Sequence, residues 1–521
     1  MTGHPRALQL LRERPDLAEL AAYPFNFDIA RDEHCEAVRL ASGAGLAAVA
    51  GDDTGGTFFV CAGGEVLYAG SEGEAGLIAD GVDEALEVLI GLPGWRDYTG
   101  LDPHADDATL AAAAADTEDE LREYDPDLDD YRTALLAALG LREILQPQLI
   151  RRLHQALLRT EPDFLLLNTQ EGCAYELLDR LPRPPLWQTV LEPGRTDLVL
   201  LRTDPTCWSE VAGNASRRAM ALRAAQYDRR ATDLPFLRVL LQREARHGAT
   251  EELRRAAVLV GLHGQDQDHQ LLRSLRETSF DAHCLLGEFP DTTAELIRWA
   301  TEFDESNYGV DPGDEPELTW AELARRQGRT ELARTALLRL LDDAGPRDAA
   351  LLASLAGELA RLGDFAQAAR ARHLHASLQD DPADRGAALV DLASLQRRAG
   401  DIEAAWHSLQ QAVAALDGPP PPPPSDQLVL ELDLSEPQCP ALGWRALGLG
   451  LNVTEEHLRI AHEATTIGPP AVARAALAAG TTLLTELPRP TEALRLLARE
   501  MTAMLGGASS PVPDPSGSAG G

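Results

Sequence analysis

Residues 318–341 read LTWAELARRQGRTELARTALLRLL, and two further stretches follow the same plan: LLASLAGELARLGDFAQAARARHLHASL at 351–378 and LVDLASLQRRAGDIEAAWHSLQQAVAAL at 389–416. In each, apolar residues of helical period lead to a glycine (Gly328, Gly363 or Gly400), and a second helical stretch follows. The copies are offset by 35 and 37 residues. A repeat of this length is one helical hairpin that cannot bury its own apolar face, so its neighbours must stack on it. Alanine recurs at Ala321, Ala356 and Ala393 in the first helices and at Ala333, Ala368 and Ala405 in the second. Closely crossing helices leave no room for a larger side chain at such places.

Over residues 316–417 this pattern resembles the tetratricopeptide repeat family. The family's frequent first-helix aromatic is replaced by Ala324, Leu359 and Gln396, and its closing proline is displaced to Pro346 and Pro382. The resemblance implies a concave face lined by first-helix residues that binds a peptide or partner protein. Those positions include Leu318, Glu322, Arg325, Ala350, Ala353, Gly357, Ala360, Val390, Ser394 and Arg397. Most are small, and only Arg325 and Arg397 are cationic. The face therefore suits a packed helix or a partner subunit better than a clamp for a terminal carboxylate. Neighbouring helices of the same chain are the alternative occupant.

Upstream, helices recur in pairs from 233 to 303 and a helical pattern covers 131–160. Between them, Pro182, Pro184 and Pro185 break any helix, and Leu198 to Leu201 reads as a buried strand. Near the front, one helix is expected over 4–21. Then GDDTGGTFFVCAGGEVLYAGSEGEAGLIADG at 51–81 alternates short β-compatible runs with glycine, the mark of a strand meander with close turns.

Four functional readings of that stretch compete with a structural one. Gly55-Gly56 runs into a strand, which is wrong for a dinucleotide loop. The chain has no lysine, so a Walker phosphate loop, a kinase strand lysine and a Schiff base are all excluded. Asp53-Thr54-Gly55 is the aspartic-protease triplet, but no second copy supplies the paired carboxylate. Paired acid catalysis by Glu65, Glu72 or Glu74 with Asp52 or Asp53 has no fixed spacing, and carboxylates are common in turns. The meander is preferred. The order helix, meander, helix resembles the SMI1/KNR4 (SUKH) superfamily over residues 1–95, carried by Gly55, Gly56, Phe58, Phe59, Val66, Tyr68, Leu86 and Leu89. It implies an immunity-type or regulatory protein that acts by binding.

The formal net charge of −36 repels nucleic acid phosphates. Six scattered cysteines without a C-x-x-C pair read as free thiols, and the N-terminal stretch lacks a signal-peptide core, so a cytoplasmic location is expected. Other constellations weigh less. His34-Cys35 and His283-Cys284 are adjacent pairs whose side chains diverge, and His373/His375 and His457/His462 are poorly spaced for metal. DESNYGVDPGDE, from Asp304 to Glu315, imitates a calcium loop, with an acidic loop the preferred reading. Cys207-Trp208 beside Arg202 and Asp204 marks a candidate pocket of unspecified chemistry.

The expected fold is multidomain α+β: a small, mainly antiparallel N-terminal sheet domain with flanking helices, followed by a mostly α-helical solenoid of tetratricopeptide or HEAT type. The expected segments are a sheet domain at 1–100, an acidic linker at 101–130 and a mixed helical domain with strands at 131–230. Helical hairpins at 231–305 and the repeats at 316–417 come next. A proline-rich spacer at 418–426, a C-terminal strand (QLVLELDL) with helices at 427–505, including one long helix over 472–505, and a disordered tail at 506–521 complete the chain. The expected function is a non-enzymatic interaction scaffold or regulator, of adaptor or immunity type, binding a protein, a peptide or a second copy of itself. No cofactor, nucleic acid or membrane is expected. The partner-facing residues would be Leu318, Glu322, Arg325, Ala353, Gly357, Val390, Ser394 and Arg397. The alternative is an enzyme whose site is assembled from dispersed residues of the middle region.

Overall fold

The structure, a computed structural model, describes residues 6–418, 443–446 and 448–507. It divides into two units, Met1–Ala336 and Leu337–Gly521. The architecture is multidomain α+β, with mixed sheet and helix at the front and helices thereafter. The expected proline spacer, the strand at 427–434 and the tail from 508 lie outside the described residues.

The first unit opens with α1 (Arg6–Glu13) and α2 (Pro15–Ala22), two helices where one was expected. Pro15, without an N–H to donate, ends the first and begins the second. Next come β1 (Val38–Leu40), β2 (Leu46–Gly51), β3 (Thr57–Cys61), β4 (Val66–Ala69) and β5 (Glu74–Ala79). Strands β2 to β5 form the antiparallel meander, with Phe58 opposite Tyr68 and Leu67 opposite Leu77. Side chains alternate between faces. Phe58 and Tyr68 pack with Leu86 and Leu89 of α3 (Val82–Gly91), whereas Phe59, Leu67 and Leu77 join a second cluster with Leu166 and Tyr175. Both faces are covered, which is why β4 reads VLYA without a polar residue.

The acidic stretch is not an extended linker. It forms α4 (Asp107–Tyr124) and the start of α5 (Leu128–Leu139). Asp106 caps α4 by accepting from the Thr109 N–H at 2.8 Å, and the alanine run carries the helix. Like charges do not extend it because arginines meet them. Arg122 pairs with Glu118 at 2.6 Å, Asp119 at 2.9 Å and Asp129 at 3.1 Å, and Arg132 reaches Glu118 at 2.6 Å. The sheet domain also extends past residue 100. After α6 (Gln146–Leu157), β6 (Leu166–Asn168) pairs antiparallel with β1, and β7 (Glu176–Leu177) pairs parallel with β5.

The segment expected as a strand at Leu198–Leu201 lies in α7 (Leu186–Thr203). Leu198 and Leu201 turn inward at helical spacing while Val199 is 60% exposed, a pattern no half-buried strand gives. The helices α8 (Trp208–Gly213), α9 (Ala215–Tyr227), α10 (Leu234–Glu244) and α11 (Glu251–Gly261) follow. Then come α12 (Asp266–Arg276), α13 (Phe280–Leu286), α14 (Thr293–Asn307) and α15 (Glu317–Arg326). Here α9 packs on α7 and α11, α14 on α11, and α15 on α7. The boundary between the units falls inside α16 (Thr330–Asp343).

The second unit stacks α17 (Ala349–Arg361) with α18 (Phe365–Ser377), α19 (Pro382–Arg398) with α20 (Ile402–Leu416), and α21 (Gly448–Ile467) with α22 (Pro470–Glu486). Helix α23 (Glu492–Gly507) packs on α21 and α22. The single helix expected over 472–505 is two, because Pro488 and Pro490 interrupt it. Gly328, Gly363 and Gly400 have φ of 78°, 79° and 89°, the left-handed region a side chain resists. All six repeat alanines are at most 1% exposed. No helix among the described residues is long and apolar enough to cross a membrane.

Candidate functional site

In the first unit, α9, α11, the loop after α14 and one face of α15 line a cavity of about 660 Å³. Helix α9 is buried almost all round, so Arg223, set among alanines, goes in with it and is 5% exposed. Arg255 of α11 is 2% exposed, with its guanidinium 4.1 Å from the centre of the Tyr308 ring. Both face Glu315. One carboxylate oxygen lies 3.3 Å from Arg223 Nη2, and the other lies 3.9 Å from Arg255 Nη1 and accepts from the Tyr227 hydroxyl at 2.5 Å. Across the cavity, Arg326 pairs with Glu252 at 2.6 Å.

Two buried guanidinium groups thus share one carboxylate. Burial, and then the neighbouring Arg255, pull the Arg223 guanidinium below its ordinary pKa. Burial works to raise Glu252, but the charge and hydrogen bond of Arg326 outweigh it and hold that carboxyl low. Burial and the bond to Glu315 push the Tyr227 phenol up, so it donates and stays neutral. Arg223 Nε and Arg255 Nε and Nη1 have no hydrogen-bond acceptor among the described residues. The floor therefore has donors to spare, while Glu251, Glu305, Asp314 and Glu322 supply acceptors to the remaining wall. This chemistry suits ion pairing and hydrogen bonding to a polar ligand segment; among the described residues, neither histidine nor cysteine lines the cavity.

The loop expected to imitate a calcium site supplies one wall. Its acids face arginines rather than a common centre: Asp304 pairs with Arg229 at 2.6 Å and Glu315 with Arg223, while Asp311 accepts from the Gly313 N–H at 2.8 Å. Among the described residues, no group of three or more His, Cys, Asp or Glu side chains is placed to hold a metal. In the glycine-rich stretch, Asp52 accepts from the Thr54 and Gly56 N–H groups at 2.9 and 2.8 Å and from the Tyr68 hydroxyl at 2.7 Å. Arg96 ties Tyr68 to Glu74 at 3.1 and 2.6 Å, so these carboxylates are bound into the meander's turns. His34 bridges the Thr57 and Tyr175 hydroxyls at 3.0 Å each, and Cys35 beside it is exposed. Trp208 donates to the Leu201 carbonyl at 2.8 Å, and Arg202 is engaged by Asp233 at 2.8 Å.

Of the residues expected to face a partner, Glu322 lines the cavity, while Leu318 and Arg325 are half-buried. In the second unit Ala353, Gly357 and Ser394 are half-buried, and a side chain at Gly357 would meet nothing within 4 Å among the described residues. Val390 is buried. Arg397 is corrected: at 6% exposure it pairs with Glu456 at 2.6 Å and with Glu463, so α21 occupies that end of the face. A chain-internal carboxylate takes the cation that a partner was expected to use. Sequence reasoning missed Arg223 and Arg255. Their signal was MALRAA and LRRAAV, helical stretches with no polar face to carry an arginine outward. No protein-family model and no curated protein matches this chain.

Proposed function

We propose that this chain is a non-enzymatic binding scaffold, an adaptor or immunity-type regulator that docks a protein partner on its helical hairpins. The observation that carries the reading is the hairpin stack of the second unit. Three consecutive helix pairs pack side by side, the repeat alanines lie at the crossings, and Gly357 faces open space on a first helix. On this reading the hairpins are of tetratricopeptide type and the N-terminal sheet domain is of SMI1/KNR4 type. The arginine–carboxylate cavity then accepts a polar segment of the partner.

The test compares the wild type with the Ala353→Trp, Gly357→Trp double variant as baits in native extract. Both sites are half-buried and a side chain at Gly357 has room among the described residues, so circular dichroism and melting are measured alongside and should be unchanged. Loss of a specific captured protein supports the reading. Retention of every captured protein, or turnover of a small molecule by the purified chain, defeats it.

A further inference from the structure

A second concavity in the first unit has a different chemistry. It is a groove of about 610 Å³ along α14 and the segment preceding it. Phe289, Trp299 and Phe303 line it, with the Phe289–Trp299 and Trp299–Phe303 centroids 5.4 and 5.1 Å apart and the ring planes tilted by 62° and 52°. Aromatic faces carry negative electrostatic potential and attract cations. Trp299 is 7% exposed, and its indole N–H has no acceptor among the described residues.

The groove wall is fixed in place. Arg276 donates to the Gly287 carbonyl at 3.0 Å, His269 to the Pro290 carbonyl at 2.9 Å, and Thr293 to Asp266 at 2.6 Å. The acids on its rim are unequally engaged. Arg273 meets Asp291 at 3.3 Å and Arg298 meets Glu295 at 3.7 Å, but Glu288 and Glu302, both exposed, have no ion-pair partner among the described residues. Two uncompensated carboxylates beside three rings make a site for a planar cation. A guanidinium stacks on rings and forks to carboxylates.

From this we infer that the groove receives an arginine side chain from an exposed segment of a partner protein. Charge disfavours the chain's own remaining segments: residues 419–442 hold four carboxylates and no arginine, and 1–5 and 508–521 hold no arginine. This goes beyond the scaffold reading, because the groove is not part of the hairpin face and its test needs no knowledge of what docks there.

The probe is the peptide acetyl-Gly-Ser-Gly-Arg-Gly-Ser-Gly-amide, titrated into the full chain by calorimetry at low salt. Its control replaces arginine with citrulline, the same shape without charge. The arginine peptide should bind about tenfold more tightly than the citrulline peptide, as expected for a partly desolvated cation on aromatic rings. Glu288→Gln with Glu302→Gln, two surface changes that leave melting unaltered, should cut that affinity severalfold, and Phe303→Leu should lower it independently. Equal binding of the two peptides, no binding of the arginine peptide at millimolar concentration, or an unaffected double variant overturns the inference. So does self-association of the wild type that the double variant abolishes, since the groove would then hold a second copy of this chain.

Discussion

Replacing Glu315 by glutamine removes the only carboxylate among the described residues within 4 Å of both Arg223 and Arg255 while keeping the volume and an acceptor for Tyr227. At 3.3 and 3.9 Å, with an effective dielectric of about 20, the two attractions are about 5 and 4 kcal/mol before desolvation. Removing one partner of a buried ion set leaves the other uncompensated, at a net cost of about 3–5 kcal/mol. The first unit spans Met1–Ala336, so at about 2.1 cal/mol/K per residue its unfolding entropy is about 0.7 kcal/mol/K. Glu315→Gln should therefore lower that unit's calorimetric transition by about 4–7 °C. Adding Arg255→Met should recover part of the loss, because it removes the surplus charge and packs against Tyr308. A fall equivalent to less than about 1 kcal/mol for the single variant, or a double variant that loses the sum of the two singles, refutes the claim that one carboxylate serves two arginines.

Further variants probe other parts of the account. Gly56→Ala drives a methyl into the Tyr68 hydroxyl and should cost about 1–3 kcal/mol by disturbing the Asp52 turn, read from urea unfolding. In α17, Ala356→Leu should destabilise by about 1–3 kcal/mol, whereas Gly357→Ala next to it should stabilise by about 0.5–1 kcal/mol, because its new methyl meets nothing. Arg397→Ala leaves Glu456 buried and unpaired and should cost about 3–5 kcal/mol in the second unit, measured by melting. Burial holds the His457 imidazole below its ordinary pKa against the small opposing effect of its bond to the Val453 carbonyl. The unfolded chain then binds the proton more readily, so the stability His457 contributes is present above about pH 6.5 and is lost as the pH falls below it. Thermal scans of His457→Gln should show a shallower loss of second-unit stability on acidification than wild type.

The hairpins were legible because everything that forms them is local. Helical period, an alanine at each crossing and a glycine at each turn all lie within one 35-residue window. The meander was legible for the same reason. What the sequence concealed is non-local. Strand β6 joins β1 from more than a hundred residues away, and nothing in LLN announces that partner. The acids of α4 looked unopposed because Arg132 lies outside the stretch that holds them. Leu198–Leu201 is a short apolar run, which periodicity cannot assign between strand and helix. The cavity was hidden by residue type: Arg223 and Arg255 look like surface arginines until the alanines around them are read as a helix with no outer face. Arg397 was placed correctly on its first helix, but its carboxylate partners in α21 lie about sixty residues further on.

The most direct measurement is hydrogen exchange on the purified complex of the full chain with whatever partner the Ala353→Trp, Gly357→Trp comparison identifies. Binding should slow exchange along α17 and α19, the first helices of the two repeat hairpins, and leave the β2 to β5 meander unchanged. Unaltered exchange in both helices, with protection confined to the sheet domain, would contradict docking on the hairpins.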